Sequence, residues 1–197
     1  MKKKSIIFLG LIVSFIFFLS LTILAKEQVY DFRKTNWGMS KEQIKATEDK
    51  KPDFEADTML GYDITISEKD FACIYSFLED KLYNSGYFFT GGHANKNLYI
   101  DDYKELKEIL TKKYGKPKTD IPGLWKNDLY KDDRSHWGMA ISVGHLAYGA
   151  LWETSTTKID LMLSGDNYKI KLVLSYTSKE LEEWVKQIKE KETSKDF

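Results

Sequence analysis

The chain has 197 residues, with 30 lysines and arginines against 30 aspartates and glutamates, one cysteine and an aromatic share of 14%. Balanced charge without a basic stripe argues against nucleic acid as a partner, and the lone Cys73 excludes an internal disulfide. The aromatic residues suit a β-rich core, in which Cys73, set in an apolar stretch, reads as a small buried hydrophobe.

Lys2, Lys3 and Lys4 precede a run at residues 6–24 in which only Gly10, Ser14, Ser20 and Thr22 are not strongly apolar, the pattern of an export signal. Ala25 supplies the small residue a signal peptidase needs, so a cut is expected between Ala25 and Lys26. As a helix the run reaches roughly 28 Å, close to the hydrocarbon thickness of a bilayer, so its retention as an anchor is the alternative. In both cases the leading lysines stay inside and the rest is exported. No cysteine lies near the cut, which closes the lipoprotein route. The expected organisation is a signal peptide or signal anchor over 1–25 and a single exported domain over 26–197. The leading segment carries lysines but no acid, so the remainder is mildly acidic.

Trp37-Gly38-Met39-Ser40 opens the first element. Ser40 and Gln43 form a capping box, Met39 and Ile44 a hydrophobic staple, and the helix should end near Asp49 ahead of Pro52. Three β segments follow: Tyr62, Ile64 and Ile66 alternate with polar neighbours, residues 71–78 are apolar on both faces, and residues 82–89 complete the set. Their short polar connections, at 68–70 and 79–81, predict an antiparallel meander.

After a loop at 90–97, a helix is expected over 102–114, opened by an Asp102/Glu105 box and carrying Tyr103, Leu106, Leu110 and Tyr114 on one face. Gly115 and Pro117 stop it. Residues 116–135, with Pro117, Pro122 and Gly123, read as the least regular stretch. At Trp137-Gly138-Met139 the opening motif recurs, with Met139, Val143 and Leu146 predicted to point inward from a short helix. Three further β segments follow at 148–153, 158–164 and 168–176. The last of these carries Tyr168, Ile170, Leu172, Leu174 and Tyr176 on one face, after a turn at 165–167. A box at Thr177 and Glu180 opens a closing helix with the stripe Leu181, Trp184, Val185 and Ile188. The order is α-βββ-α-α-βββ-α, which predicts an α+β fold: an antiparallel sheet from two βββ units, covered by helices. The halves 30–97 and 101–190 are candidates for duplication, with Trp37 and Trp137 in equivalent, mostly buried places.

The Trp-Gly-Met-Ser opening, the antiparallel strands and a helix ending Lys113-Tyr114-Gly115-Lys116-Pro117 resemble small exported bacterial proteins. More distantly, the layout is similar to the tandem helix-plus-sheet fold shared by the secreted β-lactamase inhibitor protein and the small lipoprotein of the outer-membrane β-barrel assembly machinery. The resemblance implies a noncatalytic protein-binding module. The chain lacks both the acylated cysteine of the lipoprotein and the disulfides of the inhibitor, so neither specific function carries over.

Motifs that carry chemistry fail on context. Ala140-Ile141-Ser142-Val143-Gly144 differs by one residue from the Gly-x-Ser-x-Gly nucleophile elbow, but no histidine follows His145. Ser155 and Lys158 have the Ser-x-x-Lys spacing without its partner motifs. His93, His136 and His145 lack metal-ligand spacing, and Asn127, Asp128, Asp132 and Asp133 lack the glycine and distal glutamate of a calcium loop. Gly91-Gly92 opens no helix that would cradle phosphate. No catalytic residue, metal or cofactor is therefore expected. Trp125, Tyr130, His136 and Trp137, in or beside the irregular stretch, are the candidate contacts for a protein partner or a sugar ring, against the plainer reading that they plug the loop onto the sheet. The leading expectation is an exported binding module without catalysis, with a protein partner in the cell envelope. The alternative is a small extracytoplasmic hydrolase of wall or sugar polymers, which needs two carboxylates converging in a cleft.

Overall fold

The computed structural model describes residues 29–193; the apolar run at 6–24 and the cut between Ala25 and Lys26 lie outside the described residues. Among the described residues no helix is long and apolar enough to cross a membrane.

Helix α1 (Lys41–Lys45) starts as its sequence demands: the Ser40 hydroxyl accepts from the Gln43 amide, and the Gln43 side chain accepts from the Ser40 amide at 2.9 Å. It stops earlier than expected because Thr47 turns both its amide and its hydroxyl onto the Ile44 carbonyl, closing the chain in a tighter turn. Then come β1 (Phe54–Ala56), β2 (Met59–Ile66), β3 (Lys69–Leu78) and β4 (Lys81–Phe89), helix α2 (Leu98–Tyr114), β5 (Thr119–Trp125), a 3₁₀ turn (Arg134–His136), helix α3 (Trp137–Ser142), β6 (Leu146–Glu153), β7 (Thr157–Asp166), β8 (Lys169–Ser178) and helix α4 (Glu182–Thr193).

All eight strands form one antiparallel sheet in the order β1-β2-β3-β4-β8-β7-β6-β5, an α+β fold with a helix-covered sheet. The two β units thus have four strands each. The short β1 gives no period to read, and β5 is the stretch expected to be irregular. Pro122 is tolerated there because β5 is an edge strand, and a register shift between Ile121 and Leu124 absorbs Pro122 and Gly123.

Three hairpins turn on two residues that both have positive φ: Ser67-Glu68 (50° and 63°), Glu79-Asp80 (46° and 56°) and Asn167-Tyr168 (48° and 62°). Such mirror-image turns match the right-handed twist of the flanking strands. The third puts Tyr168 at a hairpin tip, 70% exposed, rather than on the face shared by Leu172, Leu174 and Tyr176.

In β3, β6, β7 and β8 strict alternation separates the two faces of the sheet. Phe71, Cys73, Tyr75 and Phe77 of β3, Tyr148, Ala150 and Trp152 of β6, Ile159, Leu161 and Leu163 of β7, and Leu172, Leu174 and Tyr176 of β8 all point to one side. There they meet Ile44 of α1, Ile100, Tyr103 and Leu110 of α2, and Ala140 and Ile141 of α3. Phe32 wedges between the halves, its ring 5.5 Å from Tyr75, 5.2 Å from Tyr87 and 5.0 Å from Tyr176. The Trp152 indole donates to the Gly115 carbonyl at 2.9 Å, fastening β6 to the helix end where Gly115 takes φ 82°. Cys73 is buried as expected, and burial pushes its thiol up to about 12, so it stays protonated and unreactive.

Helix α2 begins at Leu98, one turn before the expected Asp102. Asp102 is instead a buried residue inside the helix. Asn97, at the helix start, spends its side chain elsewhere: it accepts from the Gly138 amide at 2.6 Å and donates to the Arg134 and Ser135 carbonyls. Gly138 is required there, since a Cβ would lie 2.3 Å from the Lys96 carbonyl carbon. That contact turns α3 so that Gly138, Ala140, Ile141 and Ser142 are buried, while Met139 and Val143 are only half-buried and Leu146 already belongs to β6. The two Trp-Gly-Met motifs are therefore not equivalent. The first precedes a helix, with Gly38 at φ 82°, and the second is itself helical. Trp37 is half-buried, and its indole donates to the Thr157 hydroxyl at 2.9 Å, a structural tie from the N-terminal segment to β7.

Helix α4 starts later than expected because β8 continues to Ser178, whose hydroxyl accepts from the Leu181 amide. It lies on the opposite face of the sheet. Glu182 pairs with Lys158 at 2.5 Å, Lys81 sits 5.0 Å over the Trp184 ring, and Val185 is buried with Leu181, Trp184 and Ile188 half-buried, so the predicted stripe does turn inward.

Within the sheet the two four-stranded units join where β4 pairs β8, over five residue pairs from Asn84–Thr177 to Phe88–Val173. A Cβ at Gly86 would lie 2.6 Å from the Leu174 carbonyl oxygen. Gly86→Val should therefore cost about 1–3 kcal/mol by urea denaturation, the usual range for overpacking, whereas Gly92→Ala, at a position with nothing within 4 Å, should change stability by less than about 0.5 kcal/mol.

Candidate binding surface

The alternation that fills the covered side sends a second set of side chains to the other side, and the register arranges them in rungs. One rung runs Ala72, Phe88, Val173, Met162, Gly149 and Ile121 across β3, β4, β8, β7, β6 and β5. The next runs Ile74, Gly86, Ser175, Asp160, Leu151 and Thr119. A third, with Asn84, Thr177 and Lys158, is polar and meets α4 through the pair of Lys158 with Glu182. Away from α4 the apolar rung is left to solvent, with Phe88 43%, Met162 48% and Ile121 39% exposed. Between the strands lies a shallow hollow of about 480 Å³, walled by Ile121, Leu151, Asp160, Met162 and Val173.

Asp160 is the charged group of that hollow and, among the described residues, makes no ion pair. Partial burial raises its pKa, with the nearby Lys158 pulling the other way. The folded state therefore holds the Asp160 proton more tightly than the unfolded chain. The resulting contribution to stability is fully present below the ordinary carboxylate range and is lost as pH rises through the raised pKa. Asp160→Asn should accordingly be more stable than the native protein near pH 7. That advantage should vanish below about pH 4, as read from urea midpoints across a pH series.

The four residues predicted as contacts do come together. The Trp125 and Trp137 rings meet edge to face at 5.7 Å, Tyr130 stacks on His136 at 5.9 Å and reaches His145 at the same distance, and Arg134 lies 5.4 Å over Trp137. Trp125, Tyr130 and Trp137 pack against the core, and the Trp137 indole donates to the Lys131 carbonyl at 3.1 Å. The group thus closes residues 126–136 onto the sheet end. His136 is exposed and takes a hydrogen bond with Asp133, whose carboxyl is held below its usual range by Ser135 and His136.

A histidine–carboxylate pair was not legible in the sequence. His93 Nε2 lies 2.5 Å from Asp102 Oδ2, its ring stacked on Phe89 at 5.5 Å and set edge-on to Tyr99 at 4.8 Å. Lys69 approaches Asp102 at 3.7 Å and Glu105 at 2.7 Å. Nine residues separate the pair, and only the unforeseen first turn of α2 brings Asp102 round to the loop, so local spacing carries no signal. Among the described residues no hydroxyl or thiol bonds to His93, and the pair serves to clamp the loop at 90–97. Asp102→Ala should cost about 1–3 kcal/mol and speed amide exchange in that loop, with the exposed Asp101→Ala as a near-neutral control.

Comparison with protein-family models, with curated proteins and with solved structures gives no match to the chain.

Proposed function

We propose that the chain is an exported binding module without catalysis, and that a protein partner in the cell envelope docks on the open face of its sheet. The observation that carries this reading is the rung of Phe88, Val173, Met162 and Ile121, which holds apolar side chains in solvent on a rigid, paired scaffold. Gly149 lies beside it in the wall of the shallow hollow, where a partner's side chain fits. The similarity of layout to noncatalytic binding proteins, taken from the order of elements alone, points the same way. The hydrolase alternative gains no support, since each of three hollows has a single carboxylate in its wall: Asp31, Glu105 or Asp160.

Photo-crosslinking from position 162 in cells should yield one defined envelope adduct. Met162→Asp should weaken capture of that adduct's protein by about thirtyfold, as for loss of a contact worth roughly 2 kcal/mol, without changing the thermal midpoint. Capture unaffected by Met162→Asp and Phe88→Asp together would remove the open face from consideration. Export is checked separately by intact mass. A species beginning at Lys26 is expected in the medium or envelope, and one that keeps residues 1–25 and sediments only with membranes would identify the anchor instead.

A further inference from the structure

On the covered side, between α2 and the sheet, lies a second hollow of about 190 Å³, lined almost wholly by apolar atoms of Phe71, Leu106, Ile109, Leu110 and Leu174. Ile109 and Ile66 stand at its mouth, 48% and 40% exposed, so the hollow opens to solvent through apolar side chains. A larger and more polar hollow of about 390 Å³ adjoins it, lined by the N-terminal segment and the hydroxyl-rich turn at residues 154–157. The two share Tyr87, Tyr176 and Lys113 as wall residues. Taken together they fall in the range of about 300–1,000 Å³ typical of small-molecule sites.

Three cations line these hollows, and two are neutralised: Arg33 pairs with Glu48 at 3.0 Å and Lys69 with Glu105 at 2.7 Å. Lys113 is different. Its ammonium lies 5.0 Å over the ring of the adjacent Tyr114 and, among the described residues, meets no carboxylate. It stands where the apolar hollow gives way to the polar one.

We propose that this junction is a binding site for a small single-chain amphiphile with an anionic head. The tail enters the apolar hollow beneath Leu106 and Ile109, and the head is held at Lys113, facing the polar hollow. Apolar walls supply the affinity for the tail, and an unpaired ammonium at the rim distinguishes a charged head from a neutral one. The site is on the side of the sheet opposite the open face and is independent of the function proposed for that face.

The test titrates the purified protein with sodium decanoate and with decyl phosphate below their micelle concentrations, with decanol lacking the charge and acetate lacking the tail. Saturable one-to-one binding is expected for at least one of the two anionic probes, about tenfold tighter than decanol, with acetate not binding. Lys113→Met should abolish the preference over decanol while leaving the thermal midpoint in place, because the side chain is exposed and unpaired. Ile109→Glu should weaken the anionic probes at least tenfold by placing a like charge at the mouth, and Met162→Asp should leave them unaffected. If neither anionic probe saturates, or if the preference over decanol survives Lys113→Met, the proposal is wrong. Binding of only one of the two probes supports it and identifies the head group as carboxylate or phosphate.

Discussion

The β4–β8 ladder is the constraint on which the rest of the structure depends. Each half alone is a four-stranded meander with one long unpaired edge, and the ladder converts those two edges into the centre of a single sheet. Its geometry is tight. The Leu174 carbonyl leaves no room for a side chain at Gly86, and the Asn84 amide reaches across the seam to the Ser175 hydroxyl at 3.0 Å, the Tyr176 carbonyl at 3.0 Å and the Thr177 hydroxyl at 2.8 Å. On the covered side Phe32 closes the same seam against Tyr75 and Tyr87 from one half and Tyr176 from the other. Without the ladder the rungs of the open face would break in the middle, because Phe88 and Val173 are partners across it.

Joining the halves produces an asymmetry between the faces. The helices α1, α2 and α3 and the segment around Phe32 cover most of one face, and α4 caps only one end of the other. Period-two alternation would let the open face be polar, as it is in the rung of Asn84, Thr177 and Lys158. Away from α4 it is not, and the difference is in residue choice rather than in backbone. Phe88, Met162 and Ile121 stand exposed there, which is why the proposed docking is placed on that part of the sheet.

Polar groups inside the fold act mainly as fasteners. The Asn97 side chain binds the starts of α2 and α3 to each other, Asp102 clamps a loop through His93, Trp37 ties the N-terminal segment to β7, and the Tyr75 hydroxyl donates to Glu48, which in turn holds Arg33. All but the His93–Asp102 pair link segments far apart in the chain. Lys113, at the junction of the two hollows, and Asp160, on the open face, make no ion pair among the described residues.

By itself the sequence determined the elements whose signals are local. The Ser40/Gln43 box, the Gly115 stop, the shared face of Leu172, Leu174 and Tyr176 in β8, the α+β class and the inward stripe of α4 all follow from local pattern, so spacing and residue type suffice, whereas β3, read as apolar on both faces, shows its alternation only in the folded sheet. Tertiary structure decided whatever depends on a distant partner. Pro122 and Gly123 read as disorder in strand periodicity, yet β6 pairs with β5 because an edge tolerates a missing donor. Asp102 looks like a cap until Asn97 is taken up by Gly138, and two identical Trp-Gly-Met triplets differ because one seats its glycine on the distant backbone of Lys96 and Asn97 and the other only bends the chain. The open rungs, too, exist only once β4 has met β8. Side-chain period tells which residues share a face of one strand, but which residues share a surface is set by register across strands, and register is a property of the folded sheet.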